Sequence, residues 1–212
     1  MRPMAGLNGA RKKLSYYLTM PVVHLLAKTP ATPNAISVAG FLLSVVTGIL
    51  IALGYQFIAG FVILLGGYFD LLDGALARQK GQATKFGGVL DDTFDRVSES
   101  IILLGILFLF LFGTEQPFFS LIGRQWAIFL VGIALLSFPL VSHIRAKAEA
   151  LGVECTVGIF TRTERVILLA LGLWINQLVI ILAIIILLSL VSAGQRLIYT
   201  WQITKNQAKL GR

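Results

Sequence analysis

Four aspartates form two closely spaced pairs in a strongly apolar part of the chain. Asp70 and Asp73 are three residues apart, and Asp91 and Asp95 are four apart, so on helices the two members of each pair share a face. Carboxylates gathered at one place repel each other unless cations lie among them. Oxygen ligands without histidine or cysteine suit magnesium, manganese or calcium. Because paired divalent ions assist displacement at phosphorus, the spacing predicts a metal site that binds a diphosphate.

The composition indicates that membrane helices position these carboxylates. The chain has 212 residues, of which 57% are hydrophobic and 13% are charged, whereas soluble domains are about 25% charged. The excess of apolar side chains predicts a polytopic membrane protein. Cys155 is the single cysteine, which excludes an internal disulfide and a zinc site built on cysteine pairs.

Six apolar segments have the length and composition expected of membrane spans, and we predict an all-α integral membrane fold. They cover 36–54, 57–77, 87–113, 126–147, 164–174 and 177–199. One aspartate pair ends the second span and the other begins the third. Because a short linker containing Gly81 joins these two spans, we expect them to be antiparallel neighbours with the two carboxylate pairs facing each other.

The distribution of basic residues predicts the orientation of these spans. All lysines and arginines except Arg124 fall in the N-terminal segment, in 78–96, in 145–165 and from Arg196 onward. Six spans place these regions on one side, and cytoplasmic loops carry the Lys/Arg excess. We therefore expect a multi-pass plasma membrane protein with its active site and both termini in the cytoplasm. Attraction to anionic membrane lipids explains the basic pI of about 9.9 without nucleic acid as a partner.

The N-terminal segment is too polar to span a bilayer. Residues 1–34 are predicted to form an interfacial segment with an amphipathic helix, and residues 35–212 form the six-span domain. Thr32 has the position of an N-cap, with Pro33 at the first helical position of the first span.

Two other interpretations of the acidic residues compete with a metal site. An aspartate near a helix start often complements the helix dipole, and we interpret Asp92 in this way or as the ion-pair partner of Arg96. A cation-coupled membrane transporter is an alternative from a different functional class, since transporters also place acids inside helix bundles. The acids of this chain cluster at one membrane face, however, and the acidic motif has no second copy.

The pattern Asp70-x2-Asp73-Gly74-x2-Ala77-Arg78-x8-Gly87-x3-Asp91-x3-Asp95 resembles the motif of the CDP-alcohol phosphatidyltransferases. The resemblance implies that the four aspartates ligate two Mg²⁺ ions, with Mn²⁺ as an alternative, and that Asp95 is also the general base. An acceptor hydroxyl would attack the phosphorus of a CDP-lipid and release CMP. The resemblance also implies a homodimer, and contacts to the CDP group from Pro33, Asn34, Ala35, Ile36, Gly74, Arg78 and Thr84.

A second region bears on the acceptor. The segments RAKAE at 145–149 and RTER at 162–165 are similar to those of the family branch that uses inositol phosphate. By this resemblance Arg145, Arg162 and Arg165 bind the acceptor's phosphate, a task suited to the guanidinium group. Glycerol 3-phosphate is the alternative acceptor because it also carries a phosphate. The donor is either CDP-diacylglycerol or CDP-archaeol.

Overall fold

The computed structural model describes residues 17–113 and 123–209, except 154, 156 and 159. Within these ranges the chain forms seven helices and no strand, which confirms the all-α prediction. In chain order the helices α1 to α7 are Tyr17–Ala27, Pro33–Ala52, Gln56–Gln79, Lys85–Phe112, Arg124–Ala150, Arg162–Trp174 and Leu178–Lys209.

Four of these helices are long and apolar enough to cross a membrane: α2, α3, α5 and α7. The helix α4 has 28 residues, but its last five turns still include Asp95, Arg96 and Glu99. The helix α6 has 13 residues, fewer than the roughly 17 that a span requires. The structure therefore supports a membrane-embedded protein by length and composition, and the count of six spans stays a prediction.

The helix α2 packs against both α3 and α4, whereas α3 and α4, which are described along their whole length, do not pack directly against each other. The prediction that they are neighbours therefore holds for their facing carboxylates, but not for close backbone packing. Because α2 packs against both helices, a gap separates the backbones of α3 and α4. The carboxylate side chains are long enough to cross this gap. The acidic side chains still meet, as described below.

The contact between α2 and α4 depends on two glycines. A Cβ atom on Gly105 of α4 would lie 2.4 Å from the carbonyl oxygen of Gly48 on α2. Only glycine at this point allows the two backbones to approach so closely. A core of buried apolar side chains joins α4 to α2, α3, α5, α6 and α7, among them Ile63, Phe110, Phe138, Leu173 and Ile185.

Threonine caps begin the two helices that lead into the acidic site. The Thr32 hydroxyl accepts a hydrogen bond from the Ala35 amide at 3.3 Å, with Pro33 in the first turn, so the predicted cap of α2 is confirmed. The Thr84 hydroxyl accepts from the Gly87 amide at 2.9 Å and begins α4. These caps fix where each helix starts and hence which face its later residues occupy.

Polar contacts attach the start of the short helix α1, and the loop that follows it, to α3. The Tyr68 hydroxyl donates to the Leu18 carbonyl at 3.0 Å. The Lys80 ammonium donates to the carbonyls of Thr29 and Ala31, each at 2.8 Å. The helix buries Val23 against the core and exposes Leu18. Its role as an interfacial amphipathic helix stays a prediction.

Candidate active site

Three of the four motif aspartates converge. Asp70 of α3 and Asp91 and Asp95 of α4 each offer a carboxylate oxygen, and these oxygens lie within 4.8 Å of one another. The two carboxylate pairs therefore meet across the helices, although α3 and α4 do not pack directly. Convergence of this kind is unfavourable for bare carboxylates and favourable when a cation binds between them.

Asp73 lies beside this group and is held more firmly. Its residue is 4% exposed, and its Oδ2 atom accepts a hydrogen bond of 2.6 Å from the Ser37 hydroxyl of α2. Its Oδ1 atom accepts from the Gly74 amide. A cavity of about 10 Å³ is lined by all four aspartates and by Ser37, roughly the volume of one water-sized sphere.

The donor set fits a hard divalent cation. All the converging ligand atoms are carboxylate oxygens, as magnesium, manganese and calcium prefer. The Ser37 hydroxyl fixes the orientation of one carboxylate, as hydrogen-bond partners of metal ligands commonly do. The four aspartates predicted as metal ligands are thus brought to one small polar cavity.

Arg162 stands next to this cluster. Its Nη1 atom lies 2.6 Å from Asp70 Oδ1 and 2.5 Å from Asp95 Oδ1. It is the first residue of α6, where Thr161 and Glu164 form a capping box. The sequence predicts Arg162 as an acceptor ligand, and the structure places it in contact with two of the predicted metal ligands.

A larger cavity of about 350 Å³ opens beside the cluster. Asp91 and Asp95 form part of its wall, so the acidic cluster and the cavity share these two side chains. The predicted acceptor arginines all line it, together with one further arginine that the sequence analysis missed: Arg145, Arg162, Arg165 and Arg196. Five carboxylates also line the cavity: Asp91, Asp92, Asp95, Glu99 and Glu149. Which arginines can bind an anionic ligand therefore depends on their ion-pair partners.

The arginines differ in their partners. Arg145 forms an exposed ion pair of 2.8 Å with Glu149, one turn along α5. Arg165 is buried and forms an ion pair of 2.6 Å with Glu99 of α4. The sequence analysis also missed Glu99, although it follows Asp95 by four residues and so belongs to the same helix face.

Arg196 is buried in α7 and donates to two backbone carbonyls. Its Nη1 atom is 2.8 Å from the Val141 oxygen, and its Nε atom is 3.1 Å from the Val157 oxygen. Among the residues that the structure describes, no carboxylate forms an ion pair with it. The sequence contained a signal for this residue, because Arg196 is the only charge in the predicted span 177–199, and such charges are costly unless they have a role.

At the edge of the cavity, Arg96 and Asp92 pair with each other at 3.4 Å. The predicted ion pair is therefore present. The Asp92 side chain is largely exposed and that of Arg96 partly exposed, and we assign them no role in binding or chemistry.

The residues predicted to contact a CDP group form two groups near the acidic cluster. At the starts of α2 and α4, a Cβ atom on Gly87 would lie 3.0 Å from Thr84 Oγ1 and 3.7 Å from Asn34 Oδ1. On α3, a Cβ atom on Gly74 would lie 3.5 Å from Arg78 Nη1. A side chain at Gly87 would therefore crowd the Thr84 hydroxyl that caps α4, whereas one at Gly74 would make ordinary contact with Arg78.

The remaining predicted contact residues, Pro33, Ala35 and Ile36, form the first turn of α2. Ile36 is buried with Leu72 and Leu76, so its side chain belongs to the core. The Ala35 amide is occupied by the Thr32 hydroxyl. This turn places Asn34 near the start of α4, while the buried Ile36 side chain anchors α2 in the core.

Comparison with known proteins decides the family. Residues 30–193 match the sequence profile of CDP-alcohol phosphatidyltransferase. The chain belongs to the CDP-alcohol phosphatidyltransferase family. This transferase is 38% identical over 176 residues to archaetidylinositol phosphate synthase of Methanothermobacter thermautotrophicus, covering 80% of this chain and 83% of the relative. It is 30% identical over 194 residues to phosphatidylinositol phosphate synthase of Mycobacterium marinum, covering 87% and 80% respectively.

Solved structures agree with this placement in the family. The transferase superposes on the crystal structure of Mycobacterium tuberculosis phosphatidylinositol phosphate synthase with CDP-DAG bound, with a TM-score of 0.75 and 28% identity. The match covers 87% of this chain and 94% of that protein. A crystal structure of the same enzyme in complex with manganese and citrate gives a TM-score of 0.75, 28% identity, and coverage of 86% and 88%.

Proposed function

We propose that this transferase moves a phosphatidyl-type group from a CDP-lipid to a hydroxyl of inositol phosphate and releases CMP. The transferred group is diacylglycerol phosphate or archaeol phosphate. The observation that carries the proposal is the shared wall of the two cavities, where Asp91 and Asp95 face both the acidic cluster and the arginine-lined cavity. The relatives named above include synthases of both lipid classes that form inositol phosphate lipids.

Asp70, Asp73, Asp91 and Asp95 would hold two divalent cations, Mg²⁺ or alternatively Mn²⁺. When bound, the cations neutralise the diphosphate of the donor and stabilise the charge that develops on the leaving group. The converging oxygens of three of these aspartates and the buried, hydrogen-bonded Asp73 support this assignment. A manganese complex of the tuberculosis enzyme points to the same class of metal.

The donor's CDP group would lie along the starts of α2 and α4 and over Gly74. Asn34 and Thr84 offer polar atoms at one end of this surface, and Arg78 offers a guanidinium for a phosphate at the other. The first turn of α2, from Pro33 to Ile36, presents its backbone at the same place. This surface is continuous with Asp73 through the hydrogen bond from Ser37.

The acceptor's phosphate would bind among Arg145, Arg162, Arg165 and Arg196. Arg145 and Arg165 already have carboxylate partners, whereas Arg196 donates to carbonyls and Arg162 contacts proposed metal ligands. With cations on those ligands, the carboxylate nearest to Arg162 outside the metal site is Glu99, at 3.9 Å and already paired with Arg165. Among the described residues, Arg196 forms no ion pair with a carboxylate. Two such guanidinium groups match the charge of a phosphate dianion.

Asp95 would act as the general base. It lies on the wall between the acceptor cavity and the acidic cluster, so an acceptor hydroxyl in the cavity would be within its reach. The hydroxyl oxygen forms a bond to the lipid-bearing phosphorus, and its proton passes to the Asp95 carboxylate. The bond from that phosphorus to the bridging oxygen breaks, and the electron pair leaves with CMP.

We also propose the placement of the transferase in the plasma membrane. In this proposal α4 and α6 also cross the membrane, which gives six spans together with the four long apolar helices. Both termini and the active site then lie on the cytoplasmic side. The exposed Leu18 and Leu25 of α1 suit an interfacial helix of the N-terminal segment. We expect a homodimer, as the family resemblance implies.

A substrate panel tests the proposed reaction. The purified protein is incubated with Mg²⁺ and either CDP-diacylglycerol or CDP-archaeol, and with inositol 1-phosphate, inositol, glycerol 3-phosphate or serine. We expect CMP release only with inositol 1-phosphate, and none after removal of divalent cations. A preference for glycerol 3-phosphate would show that inositol phosphate is not the acceptor. If no pair of substrates releases CMP, the proposed reaction is overturned.

A further inference from the structure

We propose that Glu99 is a positioning residue of the acceptor site, and that Arg165 acts by holding Glu99 and not by binding the acceptor's phosphate itself. This inference rests on the proposed function, since it assigns roles within the same cavity. No part of the family motif includes Glu99, which follows the last motif aspartate by four residues.

The geometry around Glu99 is specific. Its Oε1 atom accepts two hydrogen bonds from Arg165, from Nη2 at 2.6 Å and from Nε at 3.1 Å. The same oxygen lies 3.9 Å from Nε of Arg162. One carboxylate oxygen therefore faces both arginines of α6, and it reaches them from α4, the helix that carries Asp91 and Asp95.

Burial makes this carboxylate an effective positioning group. The side chains of Glu99 and Arg165 are only 10% and 3% exposed, so their attraction is weakly screened by water. The Phe138 ring lies 5.1 Å from the Arg165 guanidinium carbon, a distance at which ring and cation attract each other. Arg165 is thus held along one edge by Glu99 and against a ring by Phe138.

The charge balance separates the roles of the two arginines. The charge of Arg165 is matched by Glu99, whereas Arg162 Nε is buried and has no hydrogen-bond partner. The Glu99–Arg165 pair is therefore a neutral buried support behind Arg162. Its carboxylate attracts the Nε side of Arg162, while the Nη1 side reaches the boundary between the acidic cluster and the cavity.

A double-mutant cycle tests this assignment. The variants are Glu99→Gln, Arg165→Gln and the double variant, with Asp92→Asn as the matched control, because Asp92 is the exposed ion-paired carboxylate of the same helix. In Glu99→Gln we expect KM for inositol phosphate to rise by about 10-fold, the scale of a lost charge-assisted hydrogen bond. The KM for CDP-lipid and kcat should change by less than about 3-fold, and Asp92→Asn should match the wild type.

The double variant distinguishes positioning from binding. If Arg165 acts through Glu99, the double variant should be no worse than Glu99→Gln, since the two residues act as a unit. If the increases in acceptor KM of the two single variants instead multiply in the double variant, Arg165 binds the phosphate directly and the proposal is overturned. A purely structural role would lower the thermal unfolding temperature and kcat together and leave KM for the acceptor unchanged.

Two further measurements keep the outcome decisive. Should Glu99→Gln fail to fold, the double variant still tests the proposal because it leaves no buried charge without a partner; an unchanged acceptor KM in it would overturn the inference. Calorimetric titration with inositol 1-phosphate separates this inference from the proposed reaction. A wild-type protein that releases no CMP refutes the reaction, whereas equal phosphate affinity in wild type and Glu99→Gln refutes the role of Glu99.

Discussion

Ser37 donates a hydrogen bond of 2.6 Å to the buried carboxylate of Asp73. The bond joins α2, whose first turn begins the proposed CDP surface, to α3, which carries two of the proposed metal ligands. It orients a carboxylate that sits in a site of low exposure. The donor surface and the metal site are therefore connected by one hydroxyl.

Replacing Ser37 by alanine should weaken metal binding. We expect the concentration of Mn²⁺ or Mg²⁺ for half-maximal activity to rise by about 10-fold, as is usual when the hydrogen-bond partner of a metal ligand is lost. Electron paramagnetic resonance of added Mn²⁺ measures the affinity without turnover. Ser137→Ala is the control, because the buried Ser137 hydroxyl donates to the Ala134 carbonyl of its own helix α5, away from the acidic cavity. Equal Mn²⁺ affinity in Ser37→Ala and wild type would contradict the role of this hydrogen bond.

Asp95→Asn should stop turnover and leave CDP-lipid binding largely intact. A positioned carboxylate base contributes about 10²–10⁴ in rate, and the amide cannot accept the proton of the acceptor hydroxyl. The measurement is CMP release at saturating Mg²⁺ beside calorimetric binding of CDP-lipid. Asp92→Asn serves as control, since it removes a neighbouring exposed carboxylate of the same helix. Wild-type turnover in Asp95→Asn would remove Asp95 from the mechanism.

Helical periodicity explains how much of this site the sequence could predict. Spacings of three and four residues determine that Asp70 and Asp73 share one face and Asp91 and Asp95 another. The same rule could not reveal that α2 lies against both α3 and α4, because helix packing depends on contacts distant in sequence. The close approach of Gly48 and Gly105 is one such contact.

The ion pairs of the cavity were beyond prediction for a related reason. Arg165 and Glu99 are 66 residues apart in sequence, and no local pattern relates them. The residues next to Arg162 in the sequence do not show whether its guanidinium faces a phosphate or Asp70. That contact depends on how α6 packs against the other helices. Two local signals were present in the sequence: the lone charge of Arg196 in an apolar span, and the four-residue spacing of Glu99 from Asp95.

Arg162→Ala should weaken the phosphorylated acceptor far more than the donor. Loss of a desolvated guanidinium costs about 2–5 kcal/mol when its partner is charged, which corresponds to a rise in acceptor KM of about 30-fold or more. Arg162→Lys should recover only part of the loss, because an ammonium group lacks the planar pair of donors. Arg96→Ala is the control, since Arg96 pairs with Asp92 at the exposed edge. An equal rise in KM for both substrates would count against the acceptor assignment.

Gly105→Ala should destabilise the fold. The added Cβ would lie 2.4 Å from the Gly48 carbonyl oxygen, so α2 and α4 must separate, and overpacking of this kind costs about 1–3 kcal/mol. Thermal unfolding in detergent measures the effect. Gly132→Ala in α5 is the matched control, because nothing lies within 4 Å of its added Cβ. A Gly105→Ala protein as stable as Gly132→Ala would show that the two helices can move apart freely.

Lys80 connects the end of α3 to the loop before α2, and its loss should impair donor binding. Its ammonium donates to the Thr29 and Ala31 carbonyls, each at 2.8 Å, directly before the turn that carries Asn34. In Lys80→Met these carbonyls lose their donor, the loop gains freedom, and ordering it again on binding has an entropic cost.

We expect KM for CDP-lipid to rise by about 3- to 10-fold in Lys80→Met, the scale of one or two net hydrogen bonds, with KM for inositol phosphate unchanged. Lys80→Arg should restore part of the affinity, since a guanidinium also donates to two acceptors. Lys85→Met removes an equally basic, exposed side chain from the start of α4 and controls for attraction of the anionic donor to positive charge. If both methionine variants raise the donor KM equally, charge at this surface matters and the position of the loop does not.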